Sequence, residues 1–228
     1  MKSNSSPRNH LAWGGMAALC LVIAAVALSP YMTFDPRHFN NATARFASES
    51  SFRLISLFVH AFTGSLLLLI GPFLFLDRIR LGFPGLHRFA GRLYLVGILF
   101  GGISAFIIAP GMISGLSGEF GLIFLGILWL WTGWRGFSNI REGRVAVHRE
   151  WMMRNFALTF AAVTLRLWLA ILIVMLIPRL GSSYGGHFDH LFLEAYRVVM
   201  WLSWVPNIIV VEWLIQRRRT TLSNGRDH

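Results

Sequence analysis

The chain has 228 residues, of which 55% are hydrophobic and only 14% are charged. Soluble domains carry about 25% charged residues, so this composition excludes an ordinary soluble enzyme or binding domain. The formal net charge is +11, but the basic residues lie between apolar runs and form no soluble basic surface, which excludes a nucleic-acid-binding domain. No hydrolase or kinase motif is visible.

Six apolar stretches are long enough to cross a bilayer as helices. The fourth is short, and we expect it to recruit flanking residues. The sequence therefore predicts an all-α, polytopic transmembrane bundle of six helices. In chain order the stretches are Leu11–Tyr31, Leu54–Leu76, Phe89–Ala109, Phe120–Phe137, Trp151–Ile177 and Leu191–Ile215.

The predicted organisation of the chain follows from these stretches. A tail at residues 1–10 precedes a first anchor helix at 11–31, and an extracytoplasmic loop follows at 32–53. A five-helix membrane core occupies residues 54–215, and a basic tail occupies 216–228. We expect a single bundle, because nothing between the helices resembles a soluble domain.

The distribution of arginine and lysine orients the predicted bundle. With both termini in the cytoplasm, fifteen of the 21 basic residues fall on the cytoplasmic side, as the positive-inside rule requires. The same charge predicts attraction to anionic lipid headgroups at that face, and other membrane subunits stay open as partners. The fifteen are Lys2, Arg8, Arg78, Arg80, Arg88, Arg92, Arg135, Arg141, Arg144, Arg149, Arg154, Arg217, Arg218, Arg219 and Arg226.

A polar stripe runs along the fifth apolar stretch. His148 and Arg166 lie five helical turns apart, about 27 Å along the axis, which is close to the hydrocarbon thickness of a bilayer. Ionisable groups inside membrane segments are costly and usually face a protein interior or a wet cavity. We therefore expect the fifth and sixth helices to carry the function. The stripe consists of His148, Met152, Asn155, Thr159, Ala162 and Arg166.

The sixth stretch repeats this spacing, because Glu194 and Glu212 are also eighteen residues apart. A hairpin that turns near Leu180 would place Arg166 level with Glu194. Two structural ion pairs that lock this hairpin are the alternative to a functional site, and Pro206 is expected to kink the sixth helix. On the inner side, Glu212 would then face the basic cluster of His148, Arg149 and Arg154.

Three histidines are candidate ligands. His87 opens the third helix and His148 opens the fifth at the same predicted depth, so two imidazoles are placed to hold one metal ion or haem iron. The alternative is that each anchors a helix end beside lipid phosphates. His60 lies about two turns into the second helix, where a hydrogen bond to a neighbouring helix is the other explanation. Gly91, one turn beyond His87, is expected to permit a close helix–helix approach.

The chain resembles bacterial integral-membrane proteins grouped as domain of unknown function 2306, over about residues 54–215. The resemblance implies a multi-helix fold in the bacterial inner membrane and assigns no activity. The motifs that carry it are His60 with Gly64 and Gly71-Pro72, then His87-Arg88-x-x-Gly91-Arg92-x-Tyr94, then His148-x-x-Trp151-Met152-x-Arg154 with Arg166, and finally Trp204-x-x-Asn207 with Glu212.

The leading interpretation of function is a redox component that is b-type-cytochrome-like or quinone-reactive. It would hold haem b, or a copper or iron ion, through His60, His87 and His148. The chain lacks the evenly spaced histidine pairs of ferric-reductase-like proteins, which counts against this interpretation. A proton or small-solute path and a non-catalytic scaffold or assembly factor are the alternatives. No catalytic residue is assigned, and the candidate polar cluster is His60, Arg92, Arg154, Arg166, Glu194, Asn207 and Glu212.

Overall fold

The structure, a computed structural model, describes residues 7–32 and 50–224, with side chains for residues 11–32 and 50–221. Within these ranges the chain forms helices and turns and contains no strand. Six helical segments there are long and apolar enough to cross a membrane. The predicted all-α fold with six spans is therefore confirmed. Most of the predicted loop at 32–53 lies outside the described residues, as do parts of both tails.

The chain divides into two compact units, residues 1–104 and 105–228. The first unit contains α1 (Pro7–Leu28), a 3-10 turn at Ser29–Tyr31, α2 (Ser51–Leu74), the short α3 (Asp77–Gly82) and most of α4 (Pro84–Ile108). The second contains α5 (Gly115–Arg141), α6 (Val145–Thr159), α7 (Ala161–Leu176), a 3-10 turn at Ile177–Arg179, α8 (Leu180–Tyr184), α9 (Phe188–Leu202) and α10 (Val205–Asn224).

The first unit begins with an antiparallel pair of helices, α1 and α2. Near one end of the pair, the indole of Trp13 donates to the carbonyl of Pro72 at 3.0 Å. Near the other end, the rings of Tyr31 and Phe58 meet edge to face, with centroids 5.3 Å apart. A polar aromatic atom is thus satisfied inside an otherwise apolar interface.

Close packing between α2 and α4 depends on Gly97. A β-carbon at this position would lie 2.8 Å from Leu67 Cδ2, which is too close for ordinary contact. The predicted close approach at Gly91 is wrong, because a β-carbon there would meet nothing within 4 Å. The glycine that allows the approach to α2 is Gly97, which lies nearly two turns further along α4.

In the second unit, α5 and α6 form a tightly packed antiparallel pair. The buried face of α5 is lined mainly by small residues, and a β-carbon at Gly136 would lie 2.6 Å from Met152 Sδ. Small residues let helices approach closely where hydrocarbon, not water, surrounds them. The buried residues of this face are Gly118, Gly121, Leu122, Gly126, Trp129, Thr132, Gly133, Gly136 and Asn139. The fourth span, at 27 residues, is longer than its apolar stretch, as expected.

The fifth and sixth spans are interrupted helices. The fifth is interrupted at Phe160, between α6 and α7, and the sixth at Ser203 and Trp204, between α9 and α10. The second interruption lies just before Pro206, which has no N–H to donate to the carbonyl of Leu202. The expected disturbance of the sixth helix by this proline is therefore confirmed.

The turn between these two spans lies later than predicted. The short helix α8 continues the fifth span past Leu180, and the chain reverses at Gly185 and Gly186, with φ of 59° and 81°. Left-handed backbone of this kind favours glycine, since it carries no β-carbon. The predicted position of the turn, near Leu180, is therefore wrong, because an apolar run alone does not mark where a helix ends.

Candidate functional site

A buried polar cluster joins α5 to α6 midway along the stripe. The amide of Asn155 donates to the carbonyl of Trp129 at 2.8 Å and to Thr132 Oγ1 at 2.9 Å. The indole N–H of Trp129 donates to Thr159 Oγ1 at 2.9 Å. Asn155 is completely buried. The predicted stripe residues Asn155 and Thr159 therefore face protein: Asn155 donates across the helix pair, and Thr159 accepts across it.

Ion pairs connect α6 to α10 near the end of the stripe that carries His148. Arg154 donates to Glu212 through two bonds, Nε to Oε2 at 2.8 Å and Nη2 to Oε1 at 2.9 Å. One turn before Arg154 on α6 and two turns beyond Glu212 on α10, Arg219 Nε donates to Glu150 Oε1 at 2.8 Å. The predicted contact between Glu212 and the basic cluster is thus found, and Arg154 is the partner. Bidentate guanidinium–carboxylate geometry is the strongest form of such a pair.

A second polar cluster surrounds the interruption of the sixth span. The amide of Asn207 donates to Ser203 O at 2.9 Å, to Thr164 Oγ1 at 3.0 Å and to Ala157 O at 3.1 Å. The hydroxyl of Thr164 donates to the same Ser203 carbonyl. These bonds supply donors to backbone oxygens close to Pro206, where the helix lacks its own donor. Asn207, a predicted site residue, is therefore a structural link among three helical segments.

The predicted ion pair between Arg166 and Glu194 is not among the ion pairs that join described residues. Arg166 Nη1 donates to the carbonyl of Ala162 at 2.7 Å, and Glu194 accepts from the hydroxyl of Tyr184 at 2.9 Å. The reason is register. Because the chain turns at Gly185 and not near Leu180, Arg166 lies closer to the level of Ser203 than to that of Glu194.

Two of the three candidate histidines bond a glycine carbonyl on a neighbouring helix. His148 Nδ1 lies 2.7 Å from Gly136 O, and His60 Nδ1 lies 3.0 Å from Gly101 O. A carbonyl oxygen only accepts, so in both rings the proton is on Nδ1. In the neutral ring Nε2 then carries the lone pair. For His60, the alternative of a hydrogen bond to another helix is thus realised, with Ser104 Oγ also 3.4 Å from Nδ1.

The remaining candidates lie on α4. His87 is half-buried in its first turn, and Arg92 is exposed. His87 belongs to the first unit and His148 to the second. Their joint ligation of one centre therefore stays a prediction.

A cluster of tryptophan and arginine side chains was not predicted as a site. The guanidinium carbon of Arg135 lies 5.2 Å from the ring of Trp151, 5.8 Å from Trp131 and 6.0 Å from Trp134. Arg154 stacks on the same Trp151 ring at 4.7 Å. Tryptophans alone are typical of an interfacial belt. The useful signal was the spacing of Trp131, Trp134 and Arg135, which places all three on one side of a helix.

A known protein family matches most of the chain. The family described as "Predicted membrane protein (DUF2306)" matches residues 57–215. The chain belongs to this family. The match includes every candidate site residue and starts after α1, so the DUF2306 region begins within the second span. Neither a curated protein nor a solved structure matches the chain. The protein is thus a multi-pass integral membrane protein of the DUF2306 family.

Proposed function

We propose that the protein is a membrane redox component in which His148 would hold haem b, and the haem iron would supply one-electron redox chemistry. The observation that carries the proposal is the 2.7 Å bond from His148 Nδ1 to the Gly136 carbonyl. Histidines that ligate metals usually donate their other ring N–H to a backbone carbonyl or a carboxylate, which fixes the tautomer and the orientation of the ring. The bond leaves Nε2 as the ligating atom of a neutral imidazole.

His87 is proposed to hold the same haem as His148, and His60 is proposed as a ligand at a separate position. His60 has the same Nδ1-to-carbonyl arrangement, with Gly101 as acceptor. His87 was predicted at the same depth as His148, which makes it our proposed second axial ligand. Two histidines from different helices can together hold one haem between those helices. The proposed haem would lie on the cytoplasmic side.

Haem fits the available donors better than a bare copper or iron ion does. Among the described residues, no group of three or more histidine, cysteine, aspartate or glutamate side chains lies close enough to hold a metal ion. A bare transition-metal ion takes most of its ligands from side chains. A porphyrin supplies four nitrogen ligands itself, so that two imidazoles complete the coordination.

A non-catalytic scaffold is the second candidate, and one observation favours it. Donors on the stripe and beside it bond partners within the protein: Asn155 on the stripe bonds Trp129 and Thr132, and the neighbouring Arg154 bonds Glu212. Polar groups that satisfy one another hold helices together without any ligand. In this account the stripe is structural.

The visible spectrum of purified protein separates the two functions. Protein made in a haem-replete host and purified in mild detergent is measured oxidised and then reduced with dithionite. The redox proposal expects a Soret band that shifts on reduction, and its loss in His87→Ala or His148→Ala marks the ligands. His10→Ala is the matched control, since His10 lies outside the family region. Colourless wild-type protein with a normal helical circular-dichroism spectrum would favour the scaffold.

A further inference from the structure

An apolar groove of about 440 Å³ lies on the surface of the second unit. Ile127, Trp131 and Trp134 are each about half exposed, so the groove opens outward. Its residues lie within or beside segments apolar enough to cross a membrane. The medium that reaches such a groove is hydrocarbon, which makes a lipid chain its natural occupant. The lining residues are Phe106, Ile127, Leu130, Trp131 and Trp134.

Arg135 places a positive charge beside this groove. Its guanidinium lies over the rings of Trp131 and Trp134, two of the lining residues. Its Nε is buried and donates to no partner among the described residues. Two other nearby arginines form ion pairs, Arg154 with Glu212 and Arg144 with Glu142. None of the ion pairs between described residues includes Arg135, so no carboxylate in the described part of the chain neutralises its charge.

We propose that the groove and Arg135 together bind one anionic phospholipid. An acyl chain lies along Phe106, Ile127 and Leu130, and the phosphate accepts hydrogen bonds from the Arg135 guanidinium. Arginine suits this role because it stays charged and presents several donors to phosphate oxygens. The tryptophans fit the level of lipid headgroups, where their rings prefer to lie. Charge complementarity selects an anionic over a zwitterionic headgroup.

The test measures binding of short-chain lipids to detergent-purified protein by native mass spectrometry. Dioctanoyl-phosphatidylglycerol is compared with dioctanoyl-phosphatidylcholine. The wild type should prefer the anionic lipid, and Arg135→Gln should weaken its binding about fivefold, the factor that corresponds to about 1 kcal/mol for one arginine near the membrane surface. Arg141→Gln is the matched control, because Arg141 is exposed near the same helix end.

A second pair of variants tests the groove itself. Ile127→Trp fills the groove at a side chain that is 47% exposed, so the fold is retained and lipid binding should fall. Leu116→Trp, at a 71% exposed position near the start of the same helix, should leave binding unchanged. Equal losses in Arg135→Gln and Arg141→Gln would overturn the proposal, because they would show only diffuse attraction. So would equal wild-type affinity for the two lipids, or an Ile127→Trp variant that binds normally.

This inference does not depend on haem. The readout is the mass of bound lipid, which is the same measurement in coloured and colourless protein. A failure of the haem proposal therefore leaves the lipid site standing, and a failure of lipid binding leaves the histidine proposal standing.

Discussion

Arg154 and Glu212 form a bidentate ion pair that ties α6 to α10, with N–O distances of 2.8 and 2.9 Å. Their side chains are 15% and 38% exposed. The pair lies at the end of the polar stripe that carries His148, and the Trp151 ring covers the guanidinium. Of the two described ion pairs between the fifth and sixth spans, this one has the more buried guanidinium.

Removing one partner of this ion pair should lower the stability of the protein more than removing both partners. Arg154→Ala or Glu212→Ala alone should lower stability by about 1–3 kcal/mol, less than for a fully buried pair because Glu212 is partly exposed. The double variant should lose less than the sum of the single losses. Thermal unfolding in detergent measures this, with Arg149→Ala as an exposed control. Additive losses would mean that the two residues do not stabilise each other.

A side chain at Gly136 should displace Met152. Gly136→Ala brings a β-carbon to 2.6 Å from Met152 Sδ, and we expect a loss of about 1 kcal/mol, because the flexible Met152 side chain has to shift. Adding Met152→Ala should recover part of that loss. Gly64→Ala is the matched control, since a β-carbon there meets nothing within 4 Å, and it should be neutral or stabilising. Equal melting temperatures for Gly136→Ala and wild type would contradict the close packing of α5 on α6.

Asn207 should be needed for the sixth span to pack. Asn207→Ala removes donors to Ser203 O, Thr164 Oγ1 and Ala157 O, and we expect a loss of about 1–3 kcal/mol. Thr221→Ala is the comparison, since its exposed hydroxyl bonds only a carbonyl of its own helix. Unfolding by sodium dodecyl sulfate titration is a suitable measurement. The same midpoint for both variants would refute the linking role of Asn207.

Hydrophobic runs predicted the number and approximate limits of the spans, because long apolar segments in a bilayer form helices. The contact of Glu212 with the inner basic cluster also followed from spacing. The predicted pairing of Arg166 with Glu194 is wrong, because the register of the two helices depends on where the hairpin turns. The turn lies at the left-handed glycines Gly185 and Gly186. Residues whose role depends on backbone carbonyls, such as Gly136, leave no signal in side-chain chemistry.

Topology can be tested independently of function. The distribution of arginines predicts that the connections around Gly85 and Gly143 face the cytoplasm. Gly143 lies in an exposed turn between α5 and α6, with φ of 73°, so that a fusion there disturbs little. Green fluorescent protein fused after either glycine should fluoresce. An active alkaline phosphatase fusion at either point would reverse the predicted orientation.

Haem content per chain tests the central claim most directly. Haem is quantified as the pyridine haemochrome in wild-type protein and in His148→Ala and His10→Ala variants, with protein determined by amino-acid analysis. The Nδ1 bond from His148 to the Gly136 carbonyl predicts a stoichiometric haem in the wild type and in His10→Ala, and its loss in His148→Ala. Folded wild-type protein without haem, or an undiminished haem content in His148→Ala, would contradict the account.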